Sequence, residues 1–96
     1  MIKHIVMWKV KEENKQENIK KMIAQLENLK DKIQEIISIE AGMNFNSGDA
    51  AFDIVLYSEF ENEETLAKYQ SHPAHQEVAT FIKSVTENRA VVDYKS

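Results

Sequence analysis

The segment Tyr69-Gln70-Ser71-His72-Pro73-Ala74-His75 holds the densest group of chemically active side chains in the sequence. An imidazole beside a phenol can act as a proton-transfer pair, in which one group donates a proton while the other abstracts one. A metal site is less favoured. His72 and His75 have the spacing of two ligands on a helix, but Pro73 lies between them and interrupts the helical register. The segment therefore favours acid–base chemistry over a metal site, and we expect no metal.

Each of these side chains also has a structural interpretation. Tyr69 can be a half-buried ring whose hydroxyl reaches water. His72 can occupy the corner before Pro73, because a residue that precedes proline avoids the helical region. His75 can lie on the solvated face of a helix. The residue types and their spacing leave both interpretations open.

A second candidate group joins the two ends of the chain. His4 alternates with Ile2, Val6 and Trp8, so it shares one face of a predicted strand with apolar residues. If the last strand runs antiparallel beside the first, Asp93 points to the same side as His4. A carboxylate at that position can fix the tautomer of the imidazole. The alternative is a core histidine whose hydrogen bonds are satisfied by its neighbours.

Several classes of function have little support. The two glycines form no phosphate-binding loop, there is no cysteine nucleophile, and the serines lack a G-x-S-x-G motif. Basic residues are interleaved with acidic ones and the net charge is −4, which argues against nucleic-acid binding. No apolar run is long enough for a membrane span or a signal peptide. We expect a soluble cytoplasmic protein without a cofactor, a nucleic-acid partner or a membrane partner.

Hydrophobic periodicity places these residues on a short series of elements. The first helix has an apolar stripe formed by Ile19, Met22, Ile23, Leu26, Leu29, Ile33, Ile36 and Ile37. Asn62 is the predicted N-cap of a second helix, and Pro73 fits the first turn of a third. The predicted elements are a strand over 2–10, the striped helix, strands over 38–46 and 52–60, helices over 61–70 and from Pro73, and a strand over 89–94.

The order β-α-β-β-α-β, with its second helical region broken at Pro73, predicts a ferredoxin-like α+β fold with a four-stranded antiparallel sheet. We expect one domain over residues 1–96. Right-handed crossovers place all helices on one side of the sheet and leave the other side bare. That side would carry Ile5, Met7, Val55, Tyr57, Val92 and Tyr94. Because this is a large apolar surface, we expect a homodimer in which two sheets pack face to face as a dimeric α/β barrel.

Several of these motifs together resemble the stress-responsive α/β-barrel family. They are the opening Met1-Ile2-Lys3-His4-Ile5-Val6-Met7-Trp8-Lys9, the segment Glu40-Ala41-Gly42-Met43-Asn44, the segment from Tyr69 to His75, and Val92-Asp93-Tyr94. The resemblance spans nearly the whole chain. It implies a homodimer with a pocket in each protomer between the helices and the sheet.

The resemblance also implies candidate site residues. Many family members have no assigned activity, whereas the plant olivetolic acid cyclase closes a polyketide with a histidine base and an assisting tyrosine. Carried over to this chain, the base is His75 and the tyrosine is Tyr69. Where the cyclase presents aromatic side chains to its pocket, this chain has Met22, Ile23 and Leu26, so a polyketide substrate does not follow.

Three hypotheses result. The leading one is a homodimer that binds a small, partly apolar molecule. The second is a cofactor-free enzyme of the cyclase, lyase or oxygenase type that uses His75 as general base with Tyr69. The third is a structural stress protein without a ligand. The expected pocket-lining residues are His4, Val6, Trp8, Met22, Ile23, Leu26, Leu56, His72 and Asp93.

Overall fold

A four-stranded antiparallel sheet with three helices forms the protein in the computed structural model, which describes residues 1–96. The strands lie in the order β2-β3-β1-β4. This order confirms the predicted ferredoxin-like fold, with the last strand beside the first. The elements are β1 (Ile2–Val10), α1 (Lys15–Lys32), β2 (Ser38–Met43), β3 (Ile54–Phe60), α2 (Glu63–Ser71), α3 (Pro73–Val85) and β4 (Thr86–Lys95).

β1 is an inner strand with a strict alternation of burial. It pairs with β3 on one side and with β4 on the other. The residues of its helix-facing side are all buried, namely Ile2, His4, Val6, Trp8 and Val10. The residues between them are only half-buried, because no helix covers the other face. The predicted division of the first strand into two faces is therefore confirmed.

α1 ends earlier than its apolar stripe. The helix stops at Lys32, and Ile33 already has an extended backbone with φ −125° and ψ 107°. Ile33 and Ile36 are nevertheless buried, whereas Ile37 is 44% exposed. The periodic pattern therefore indicates which residues are buried in the core. In the connection from α1 to β2, residues are buried in the core although the backbone is not helical.

The central hairpin is shorter than expected. β2 ends at Met43 rather than at residue 46, and β3 begins at Ile54 rather than at residue 52. The Asn44 side chain donates to the Phe52 carbonyl at 2.6 Å and accepts from the Asn46 amide at 2.8 Å. These local side-chain bonds compete with ladder pairing, so the strands end before the turn.

β4 is longer than expected, because it begins at Thr86 rather than at Arg89. Thr86 pairs with Val10 and Asn88 pairs with Lys9, so Glu87 is the extra residue of a β-bulge. Three consecutive polar residues at the start of this strand carry no alternating pattern, and the sequence therefore does not indicate its beginning.

The break in the second helical region occurs where Pro73 predicts it. Asn62 accepts a hydrogen bond from the Thr65 amide at 2.9 Å, which confirms it as the N-cap, although α2 begins at Glu63 rather than at residue 61. Pro73 is the first residue of α3. The backbone of His72 is extended between the two helices, and this corner turns the chain from α2 into α3.

Candidate functional site

A cavity of about 630 Å³ lies between the helices and the β1–β4 side of the sheet. Its volume is within the range of small-molecule sites, which is roughly 300–1,000 Å³. Seven of its lining side chains are apolar, namely Val6, Trp8, Leu26, Leu56, Val78, Ala79 and Ile82. Polar side chains complete it, namely His4, Tyr69, His75, Lys83, Thr86, Glu87, Asn88 and Arg89.

Two regular elements position these side chains. The alternation of β1 places His4, Val6 and Trp8 on the cavity side. The cavity residues of α3 are separated by three, one, three and one positions, which is the spacing of a single helix face. They are His75, Val78, Ala79, Ile82 and Lys83.

Tyr69 and His75 meet at the corner between α2 and α3. Their ring centroids are 4.5 Å apart with an interplanar angle of 64°. Tyr69 has no exposed surface, and its ring packs against Phe60 with a centroid distance of 4.8 Å. Because Pro73 starts a new helix between them, two residues on successive helices are brought into edge contact.

Two polar atoms of this pair have no hydrogen-bond partner. The Tyr69 hydroxyl and His75 Nδ1 are both buried, and they are the only buried side-chain polar atoms of the protein without one. Most buried polar groups in proteins are hydrogen-bonded, so each exception needs an explanation. Both exceptions lie in residues of the cavity wall.

The environment sets the protonation of the two groups. Burial raises the pKa of Tyr69 to about 12, against a small opposing effect of the Arg89 charge. Burial also lowers the pKa of His75 below its ordinary value of 6.5; the backbone of Gln70 opposes this shift, and the charge of Arg89 adds to it. At neutral pH the phenol is therefore a hydrogen-bond donor, and the imidazole is uncharged with one nitrogen free to accept a proton.

His4 is held by a residue from the far end of the chain. It is 2% exposed, and its Nδ1 forms a hydrogen bond with the carboxylate of Asp93. The two residues are directly paired in the β1–β4 ladder, as the strand order predicts. Since the carboxylate accepts from Nδ1, the second ring nitrogen of a neutral His4 carries the lone pair. Asp93 reaches the cavity only through this imidazole.

The structure brings together seven of the residues singled out in the sequence, and places the others elsewhere. On the cavity wall are His4, Val6, Trp8, Leu26, Leu56, Tyr69 and His75. Met22 is fully buried in the core, and Ile23 packs against that core. The Nδ1 atom of His72 accepts from the Ala74 amide at 3.0 Å, so this imidazole caps α3 instead of facing the cavity.

The sequence analysis did not include the polar end of the cavity, which is formed by Lys83, Thr86, Glu87, Asn88 and Arg89. Lys83 continues the helical spacing that starts at His75, and Arg89 continues the strand alternation that contains Asp93. Both signals are present in the sequence. The β-bulge at Glu87 has no such signal.

The site consists of proton donors and acceptors. No three side chains of the His, Asp and Glu types lie close enough together to hold a metal ion. None of the three helices has the length and the apolar character needed to cross a membrane.

Known proteins resemble the chain over nearly its full length. The family model of the stress responsive A/B barrel domain matches residues 2–96. A stress-response A/B barrel domain-containing protein of Arabidopsis thaliana is 32% identical over 95 residues, which cover 96% of this chain and 83% of that protein. A dimeric protein of unknown function with a ferredoxin-like fold from Bacteroides fragilis has a TM-score of 0.91 and 35% identity, with 99% of this chain and 95% of that chain covered. The hydroxynitrile lyase of Passiflora edulis has a TM-score of 0.86 at 23% identity, with 97% and 90% covered.

Removing the Tyr69 hydroxyl should not destabilise the protein. We expect Tyr69→Phe to leave the free energy of unfolding unchanged or to raise it by up to about 1 kcal/mol, because an unpaired buried hydroxyl is lost. The matched control is Tyr57→Phe, whose hydroxyl donates to Glu59 Oε2 at 2.9 Å. That variant should lose about 1 kcal/mol. Urea unfolding at pH 7 and equal protein concentration measures both. A larger loss in Tyr69→Phe than in Tyr57→Phe would show that the Tyr69 hydroxyl has a partner in solution.

Proposed function

The chain belongs to the stress-responsive A/B barrel domain family, and within that fold we propose that its cavity binds a small, partly apolar molecule with a carbonyl or similar oxygen. The observation that carries this proposal is the pair of unpartnered polar atoms, on Tyr69 and His75, in the wall of a cavity that is also lined by seven apolar side chains. A ligand oxygen that reaches this pair would satisfy what the protein leaves unsatisfied.

The chemistry of the wall defines the ligand. The phenol of Tyr69 is protonated at neutral pH, so it donates to an acceptor such as a carbonyl oxygen. The side chains around Val6, Leu26 and Leu56 offer an apolar surface to the body of the ligand. A small set of polar groups in an apolar cavity is the usual arrangement for orienting a small molecule.

A second candidate function is an enzyme that moves a proton without a cofactor. An imidazole with a lowered pKa is uncharged at neutral pH and can act as a base. In such a step His75 takes a proton from the carbon beside the ligand carbonyl, and the electron pair moves onto the oxygen, which accepts a hydrogen bond from Tyr69. The hydroxynitrile lyase of Passiflora edulis has the same fold, which is thus compatible with lyase chemistry.

The uncovered face of the sheet supports a homodimer. Residues of this face are partly apolar and open, with exposed fractions of 37% for Val55, 55% for Val92 and 45% for Tyr94. The similar protein from Bacteroides fragilis is dimeric. We infer that a second copy of this chain packs against this face, because one sheet of a 96-residue chain would otherwise leave its central apolar residues in water.

The binding proposal is tested with 2-octanone, a ketone with an apolar chain. Its binding should quench the fluorescence of Trp8, the single tryptophan, which lies in the cavity wall. We expect Tyr69→Phe to weaken 2-octanone about tenfold, since one hydrogen bond of roughly 1.4 kcal/mol is removed. Tyr57→Phe, which lies outside the cavity, should leave the affinity unchanged. Absence of quenching in the unmodified protein, or equal affinity in Tyr69→Phe, would contradict the proposal.

The enzyme candidate requires an uncharged His75. We expect NMR titration of the histidine rings, assigned with His75→Gln, to give a pKa of His75 below 6.5. Since the unfolded chain then takes up the proton first, the free energy of unfolding should fall as the pH drops below about 6.5 and level off once folded His75 is protonated. His75→Gln should remove this contribution between pH 7.5 and 5.5. A His75 pKa at or above 6.5 would rule out this base.

The dimer is tested by placing a charge on one face or the other of the sheet. Val55→Asp should give a folded monomer, because an unpaired carboxylate would be buried between the two sheets. Val91→Asp is the matched control, since Val91 is also partly exposed but pairs with Val6 and therefore lies on the helix side. Analytical ultracentrifugation at low micromolar concentration, with circular dichroism to verify folding, distinguishes them. A stable Val55→Asp dimer would show that another surface forms the interface.

A further inference from the structure

We propose that the cavity selects a ligand with a carboxylate, which Arg89 and Lys83 bind at the end of the cavity opposite His4. This inference rests on the proposed function, because it names the ligand class of the same site. It assigns a role to two residues that the proton-transfer pair does not use.

Both cations face the cavity for structural reasons. Arg89 pairs with Trp8 across the β1–β4 ladder, and directly paired residues of an antiparallel sheet point to the same side. Lys83 lies eight positions after His75 on α3, which returns it to the same face of the helix. Both residues line the cavity and are exposed to solvent.

Neither cation has a partner within the protein. The ion pairs of the chain join other residues, and no side-chain hydrogen bond involves Arg89 or Lys83. Glu87 is the one carboxylate in the cavity wall, and it forms no ion pair with them. A free guanidinium presents a planar set of donors that matches a carboxylate, and such bonds are stronger than those between neutral groups.

The charge balance favours a ligand with a single negative charge. Arg89 and Lys83 contribute two positive charges to this end of the cavity, and Glu87 contributes one negative charge. The three side chains together carry one net positive charge. A carboxylate with its single negative charge balances it, whereas a phosphate dianion would exceed it and be repelled by Glu87. The field of Arg89 also reaches the other end, because it acts on the pKa of both Tyr69 and His75.

The two polar ends set the length of the ligand. His4 and Trp8 are four residues apart on a strand, so their Cα atoms are about 13 Å apart. His75 and Lys83 are eight residues apart on a helix, so their Cα atoms are about 12 Å apart along the helix axis. The wall between them is mostly apolar. The ligand class is therefore an elongated monocarboxylate with an apolar body and an oxygen function at the end away from the carboxylate.

The test compares octanoate with 2-octanone by quenching of Trp8 fluorescence. In the unmodified protein, octanoate should bind about tenfold more tightly than 2-octanone. Arg89→Gln should abolish this preference by weakening octanoate about tenfold relative to 2-octanone, and Glu87→Gln should tighten octanoate severalfold. The charge-matched control is Lys30→Gln, because Lys30 is exposed on α1, away from the cavity, and forms no ion pair. It should change neither affinity.

The outcomes separate this inference from the proposed function. If 2-octanone binds and octanoate binds no more tightly, or if Arg89→Gln weakens both equally, the carboxylate site is overturned and the binding function stands. If neither probe quenches Trp8, the proposed function fails together with the inference. If Lys30→Gln weakens octanoate as much as Arg89→Gln does, the effect is due to net charge, and the site is again overturned.

Discussion

The alternation of β1 is the constraint on which the rest of the structure depends. This strand is hydrogen-bonded on both sides, so its register sets those of β3 and β4. Its helix-facing residues include His4 and Trp8 in the cavity wall, and its other residues include Ile5 and Met7 on the open face. A slip of one residue would exchange the two sets, because the side-chain period of a strand is two.

A polar cluster on the open face secures that register. The carboxylate of Glu59 accepts hydrogen bonds from Ser38 and Tyr57, both at 2.9 Å, and lies 2.7 Å from the Lys3 ammonium. These bonds lower the pKa of Glu59 to about 2, with the Lys3 contact as the largest cause. Because Ser38, Glu59 and Lys3 belong to β2, β3 and β1, one carboxylate connects three strands. The face that we assign to the dimer thus also fixes the pairing of the strands whose opposite face lines the cavity.

The parts of the structure that follow from strand order and from the alternation of side chains along each strand were predictable from the sequence. The placement of Asp93 beside His4 needs only the order of the strands and the alternation along each of them. The cavity wall needs more, because it depends on which turn of each helix lies over the cavity. Met22 and Leu26 are four residues apart on α1, yet Met22 enters the closed core and Leu26 reaches the cavity. The position of a turn along the helix leaves no trace in hydrophobic periodicity, since both residues belong to the same apolar stripe.

The contrast between His72 and His75 gives the strongest physical reason to place function at the α2–α3 corner. His72 has a complete structural role, because its Nδ1 accepts from the Ala74 amide. His75 Nδ1 and the Tyr69 hydroxyl have no such role, and a buried polar atom without a partner lowers the stability of the folded state. A chain of 96 residues without a disulfide has little stability to spare. Phenylalanine could fill the place of Tyr69 without this cost. A ligand oxygen at the same position would remove the cost only in the bound state, so it would couple binding to the stability of the folded chain.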